Sequence, residues 1–116
     1  MSATTWVPTP FSYSAAVMSG DTAYVGLHRG FGDTFASQLD GAVSGVTSTL
    51  EQLGLSLADL LNVTVWLRDI QDLPEMEQRF TRYFEHDRFP ARMTATTQFF
   101  DADCLVMIEG IARASQ

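Results

Sequence analysis

Glu109 lies in a strand-like run, Leu105 to Ala112, and period two puts it on the same face as Leu105, Met107 and Ile111. A carboxylate on an apolar face is costly unless it is paired or put to use. Such a group can hold a water molecule and accept its proton. It can equally pair with a buried arginine or fall in a subunit interface. The chemistry available around it is narrow. All 7 basic residues are arginine, so there is no lysine for a Schiff base, a pyridoxal anchor or a phosphate-binding loop. His28, His86 and Cys104 are too scattered to build a zinc ribbon or an HExxH helix. What remains is arginine, carboxylates, hydroxyls and backbone, with no metal and no cofactor expected. Among these, a planar guanidinium can hold a carboxylate through two parallel hydrogen bonds.

The chain has 116 residues, 46% hydrophobic and 18% charged, which predicts one globular domain over 1–116. Fourteen acidic residues against 7 basic ones give a net charge of −7. That sign argues against a nucleic-acid partner. No apolar run approaches the roughly 20 residues needed to cross a bilayer, so no membrane partner is expected. Met1 to Pro10 lacks the basic and apolar regions of a signal peptide. With a single cysteine, Cys104, no disulfide framework can form, and a cytoplasmic location is the expectation.

The elements that must position these groups are readable in outline. Pro8 and Pro10 break up the first residues. Tyr13 to Met18 and Thr22 to Leu27 flank Ser19-Gly20-Asp21 as a hairpin. From Asp33 the period changes: Phe35, Leu39, Val43, Val46, Leu50 and Leu53 form the stripe of an amphipathic helix. Asp33 or Thr34 can cap it and Gly54 ends it, while Gly41 and Gly45 inside it suggest close packing on a sheet. Val63, Val65 and Leu67 alternate as a strand. Pro74 opens a second helix with Met76, Phe80, Tyr83 and Phe84 on one face, and Phe89-Pro90 stops it. Thr94 to Phe99 and Leu105 to Ala112 complete the order β-β-α-β-α-β-β. Two helices can cover only one face of that sheet, so the other face is expected to meet a sister subunit.

Six pieces in this order resemble the Rid (reactive intermediate deaminase) or YjgF family. They are Tyr13-Ser14-Ala15-Ala16-Val17, Thr22-Ala23-Tyr24-Val25, Gln38 in the first helix, Thr64-Val65-Trp66-Leu67-Arg68-Asp69, Phe89-Pro90-Ala91-Arg92 and Ile108-Glu109-Gly110-Ile111-Ala112. The resemblance implies a chorismate-mutase-like α+β fold and a homotrimer with clefts between adjacent subunits. It also implies cofactor-free hydrolysis of small imines or enamines to a 2-keto acid and ammonia. In that chemistry Arg92 holds the carboxylate of a small metabolite and Glu109 orients the attacking water. Backbone groups at Gly26, Leu27 and His28, with the Thr94 hydroxyl, line the other end.

The chain departs from the family pattern around that site. Gly26-Leu27-His28 stands where Ser-Gly-Gln is usual, Thr94 where cysteine is frequent, Glu77 and Gly45 where asparagines are usual, and Arg29 has no counterpart. Several residues therefore carry two readings. Tyr13 touches the ligand or packs in the core. Thr94 lines a pocket or is a solvated strand threonine. His28 and Arg29 form an altered specificity wall or a solvated strand end. The alternative functions are a non-catalytic ligand-binding or regulatory trimer and a specialised enzyme acting on a larger imine. A ribonuclease fits poorly with the net charge of −7 and the absence of lysine.

Overall fold

The first finding is a strand that the sequence reading left out. Thr4–Pro8 forms β1, pairing antiparallel with β2, Ser14–Ser19, across the segment that the prolines were expected to break. Pro8 is tolerated because β1 is an edge strand, where a missing N–H need not interrupt a ladder. The structure, a computed structural model, describes residues 3–115. Met1 and Ser2 of the expected leaderless start, and Gln116, lie outside the described residues.

β2 turns at Gly20, with φ of 63°, into β3, Thr22–Arg29. Helix α1, Phe35–Gln52, follows. Thr34, one of the two expected caps, accepts a hydrogen bond from the Ser37 N–H at 3.1 Å, and the Ser37 hydroxyl faces back to the Thr34 N–H. Gly54 closes the helix with φ of 75°, a conformation that favours glycine. β4, Leu60–Leu67, then leads through a 3₁₀ turn to α2, Leu73–Phe80, with proline in its first turn. β5 is Ala91–Thr96, three residues earlier than the expected start at Thr94, and β6 is Val106–Arg113. α2 ends at Phe80, so Tyr83 and Phe84 of the expected helical face lie in the turn that follows it, and Pro90 leads into β5 rather than stopping the helix. Arg92 therefore lies within β5, and Phe99 and Phe100 fall in the following loop.

The six strands form one sheet in the order β1-β2-β3-β6-β4-β5. Only β4 and β5 run parallel, joined through α2. Both helices pack on the same face. Leu39, Val43, Val46 and Leu50 of α1, with Met76 and Phe80 of α2, close over Ala23, Val25, Val63, Val65, Val106 and Ile108. This confirms the α+β architecture with one helix-covered face. Two glycines set the depth of α1. A Cβ on Gly30 would come within 2.2 Å of the Gln38 carbonyl oxygen, and one on Gly41 within 2.7 Å of the Gly30 Cα. The expected close packing at Gly41 is thus backbone against backbone.

Gln38 pins the long loop after β5. Its buried amide donates to the Gly32 and Asp103 carbonyls at 3.1 and 2.9 Å, and its oxygen accepts from the Leu105 N–H at 2.8 Å. Arg68 donates to the Cys104 and Asp101 carbonyls, both at 2.7 Å. Arg29 pairs with Asp101 at 3.0 Å and Asp103 at 3.3 Å. Arg29 is therefore not a solvated strand end: it ties β3 to that loop. The carboxylates hold its guanidinium above its ordinary pKa, although burial, the largest single influence, acts the other way.

The uncovered face of the sheet carries Trp6, Tyr24, Leu27, Met93 and Ile111, all exposed. Register places Glu109 among them, opposite Thr64.

Candidate functional site

The sheet register divides the expected site residues into two groups on opposite faces. Arg92 pairs with Val63 and Thr94 with Val65. Both valines are buried beneath the helices, so Arg92 and Thr94 point to the helix side at the edge of the sheet. There the Arg92 Nε donates to the Thr94 hydroxyl at 3.2 Å, and its Cζ lies 5.3 Å from the centre of the Phe80 ring. Its Nη2 donates to the Glu77 carboxylate from α2. The Arg92 side chain remains 27% exposed, at a cleft of about 300 Å³ lined by Glu77, Phe80, Thr81, Phe89 and Pro90.

Glu109 occupies the other face. It shares that face with Met107 and Ile111, as period two predicts, and the uncovered face is the one that carries them. Its Oε1 accepts from the Trp66 indole N–H at 3.1 Å. Tyr24, Asn62 and Thr64 line a hollow of about 300 Å³ with it. Glu109 sits in β6 between the partners of Val25 and His28, across from a bulge at Gly26-Leu27 where β3 has one residue too many. Leu27 faces outward there. Gly26 is crowded, since a Cβ would come 3.3 Å from the Ala15 carbonyl oxygen, so a serine side chain at this position would press on β2.

Tyr13 belongs to this second group. It precedes β2, stacks on Phe11 with ring centres 6.1 Å apart and stays exposed, so it is not a core residue. Four strand spacings separate β2 from β5, about 19 Å at the usual 4.7–4.9 Å each. Within one protomer Tyr13 and Arg92 do not share a ligand.

His28 departs from the expected wall. After the bulge its side chain turns to the helix side, where its Nδ1 lies 2.7 Å from the Gly26 carbonyl and its Nε2 2.8 Å from the Thr49 hydroxyl. A carbonyl only accepts, so Nδ1 carries the proton and Nε2 accepts from Thr49. Burial holds the imidazole below its ordinary pKa, with the Gly26 bond pulling weakly the other way. The imidazole fills the space above Gly45, where a Cβ would come 3.4 Å from its Cδ2. His28 is thus a strut that fixes the Gly26 carbonyl and the bulge. Cys104 is buried, with its thiol pushed up by burial, and is placed as an inert core residue.

Sequence reasoning singled out Arg92, Thr94, Glu109, Tyr13 and Gly26-Leu27, and missed their companions. Trp66 and Thr64 alternate with core valines in β4, a signal that marks their face but not their partner. In the sequence Glu77 reads only as a departure from the family's asparagine, although it contacts Arg92 directly.

The model of the family described as Endoribonuclease L-PSP matches residues 6–114. The chain belongs to the YjgF/Rid family. A RutC family protein of Pyrococcus abyssi is 32% identical over 75 residues, covering 65% of this chain and 58% of that protein's length. The 2-iminobutanoate/2-iminopropanoate deaminase of Escherichia coli K12 is 29% identical over 79 residues, covering 66% of this chain and 62% of the enzyme. The chain thus spans little more than half the length of these relatives in the matched region. The crystal structure of a YjgF family protein from Neisseria meningitidis superposes with a TM-score of 0.92 at 23% identity, covering 98% of this chain and 97% of that one. That likeness establishes the YjgF fold. No helix of the described residues is long and apolar enough to cross a membrane.

Proposed function

We propose that this chain is a cofactor-free deaminase of small 2-imino acids, working in the cytoplasm as a homotrimer whose sites lie between adjacent copies. The observation that carries the reading is the division of the site. Arg92 and Thr94 lie on the helix side of an edge strand, Glu109 and the Gly26-Leu27 bulge on the uncovered face. A ligand held by Arg92 of one copy can meet Glu109 only of another. A head-to-tail ring brings these two surfaces together at every interface, and the exposed apolar residues of the uncovered face supply the contact.

In this arrangement Arg92 holds the carboxylate and the neighbouring copy's bulge offers backbone groups to the imine end. Glu109, oriented by the Trp66 indole, positions a water about 3 Å from the imine carbon. The water adds to the carbon and Glu109 takes its proton. The resulting carbinolamine expels ammonia and leaves a 2-keto acid. An iminium is already electrophilic, so anchoring and water placement are sufficient help. The name of the Escherichia coli relative favours this activity over a purely regulatory trimer. The ribonuclease in the family's description finds no support in a net charge of −7.

The test is complementation between two inactive variants. Arg92→Ala and Glu109→Gln should each abolish most ammonia release from amino-acid-derived imines. Unfolded and refolded together in equal amounts, they should regain about one quarter of wild-type activity, because random assortment around a ring pairs two intact walls at that fraction of interfaces. Light scattering should give three times 12.8 kDa. A mixture as dead as its parents, or a stable monomer at micromolar concentration, would remove the shared cleft.

A further inference from the structure

The proposed anchor is already engaged. Arg92 Nη2 is bonded to Glu77 Oε2 and Nε to the Thr94 hydroxyl. The Nε–Nη2 edge, one of the two that can receive a carboxylate in a fork, is therefore capped, and Nη1 is left to reach into the cleft. Glu77 is 59% exposed against 27% for Arg92, so the pair opens onto the cleft with Glu77 outermost. Any ligand that approaches the guanidinium also approaches this carboxylate.

We propose that Glu77 is a specificity residue that selects by charge, disfavouring plain carboxylate anions at Arg92 and favouring ligands that carry a cationic nitrogen beside the carboxylate. The inference rests on the reading of Arg92 as the carboxylate anchor. Arg92 and Glu77 together are neutral. A 2-keto acid anion leaves one negative charge without a partner, whether it displaces Glu77 or shares the guanidinium with it. A 2-iminium or 2-ammonium acid is a zwitterion. Its carboxylate takes Arg92 while its nitrogen takes Glu77, and one ion pair is exchanged for two.

The selection coincides with the direction of the reaction. Hydrolysis consumes a neutral zwitterion and water and yields a 2-keto acid anion and ammonium. The C=N bond is replaced by C=O, and the nitrogen leaves with two added protons from the water. Substrate enters the Arg92–Glu77 pair charge-matched, and the remaining product is charge-mismatched. Glu77 thereby weakens retention of the product without weakening capture of the substrate.

Calorimetry with two stable probes tests this: 2-oxobutyrate as the anion and 2-aminobutyrate as the zwitterion. Glu77→Gln should bind 2-oxobutyrate about fivefold tighter at low salt, the upper range for an exposed charge pair, with the gain shrinking as salt screens it. It should bind 2-aminobutyrate no tighter than wild type. Glu77→Asn should behave in the same way. Unchanged affinity for the keto acid, or an equal gain for both probes, would overturn the role of Glu77. Failure of the underlying reading looks different: Arg92→Lys would then leave the affinity for both probes where it was.

Discussion

Replacing Glu109 by glutamine should lower ammonia release by about 10²–10⁴, the usual contribution of a positioned acid–base group. The substitution keeps the size of the side chain and an oxygen that can still accept from the Trp66 indole, so the local geometry survives. What it removes is the proton acceptor. Binding of a 2-keto acid should change little, because the proposed site holds the carboxylate on Arg92, on another element. An amino-acid oxidase can generate the imine in place, with semicarbazide trapping what escapes. A variant as fast as wild type would move the base elsewhere, with a backbone-held water as the next candidate. A wild-type protein that never speeds ammonia release would instead favour the ligand-binding trimer.

Arg92→Lys should weaken 2-keto acid binding by about 1.5–3 kcal/mol, the range for hydrogen bonds to charged groups. Lysine keeps the positive charge and can still pair with Glu77, so the fold is not at risk. It loses the plane that the Thr94 hydroxyl and the Phe80 ring hold in place, and with it the fork. Calorimetry reads the difference directly. Unchanged binding would mean that Arg92 serves only to pair with Glu77.

The parts of the fold that were legible in the sequence are those where one face of an element is buried. The stripe from Phe35 to Leu50 marks α1, and Val63, Val65 and Leu67 mark β4, because burial writes its period into the residues. β1 escaped notice because its only buried residue is Val7, and a single buried side chain has no period. β5 was displaced because it, too, is an edge strand, with no fully buried residue to anchor the reading. The site was legible residue by residue: the Phe-Pro-Ala-Arg and Ile-Glu-Gly-Ile-Ala segments identified Arg92 and Glu109. Their arrangement was not. Period two says that two residues of one strand share a face, but nothing about the faces of different strands. Only the pairing of Arg92 with Val63 and of Glu109 with Thr64 reveals that the two point apart. The turn of His28 toward α1 was hidden for a similar reason, since the bulge at Gly26-Leu27 resets the alternation that strand reading relies on.

The sheet order has a consequence for how the site breathes. β6, which carries Glu109, is hydrogen-bonded on both sides, to β3 and β4. β5, which carries Arg92, is held by β4 alone. Amide protons in Val106–Arg113 should therefore exchange with solvent only on near-global opening, and those along Ala91–Thr96 by peeling of one strand. In the proposed trimer, a metabolite that bridges two copies fastens the edge strand of one protomer to a central strand of the next. Deuterium uptake should slow along Ala91–Thr96 when a 2-keto acid binds and hardly change along Val106–Arg113. In the proposed trimer the anchoring half of the site thus lies on the strand with one hydrogen-bonded neighbour, and the catalytic half on a strand with two.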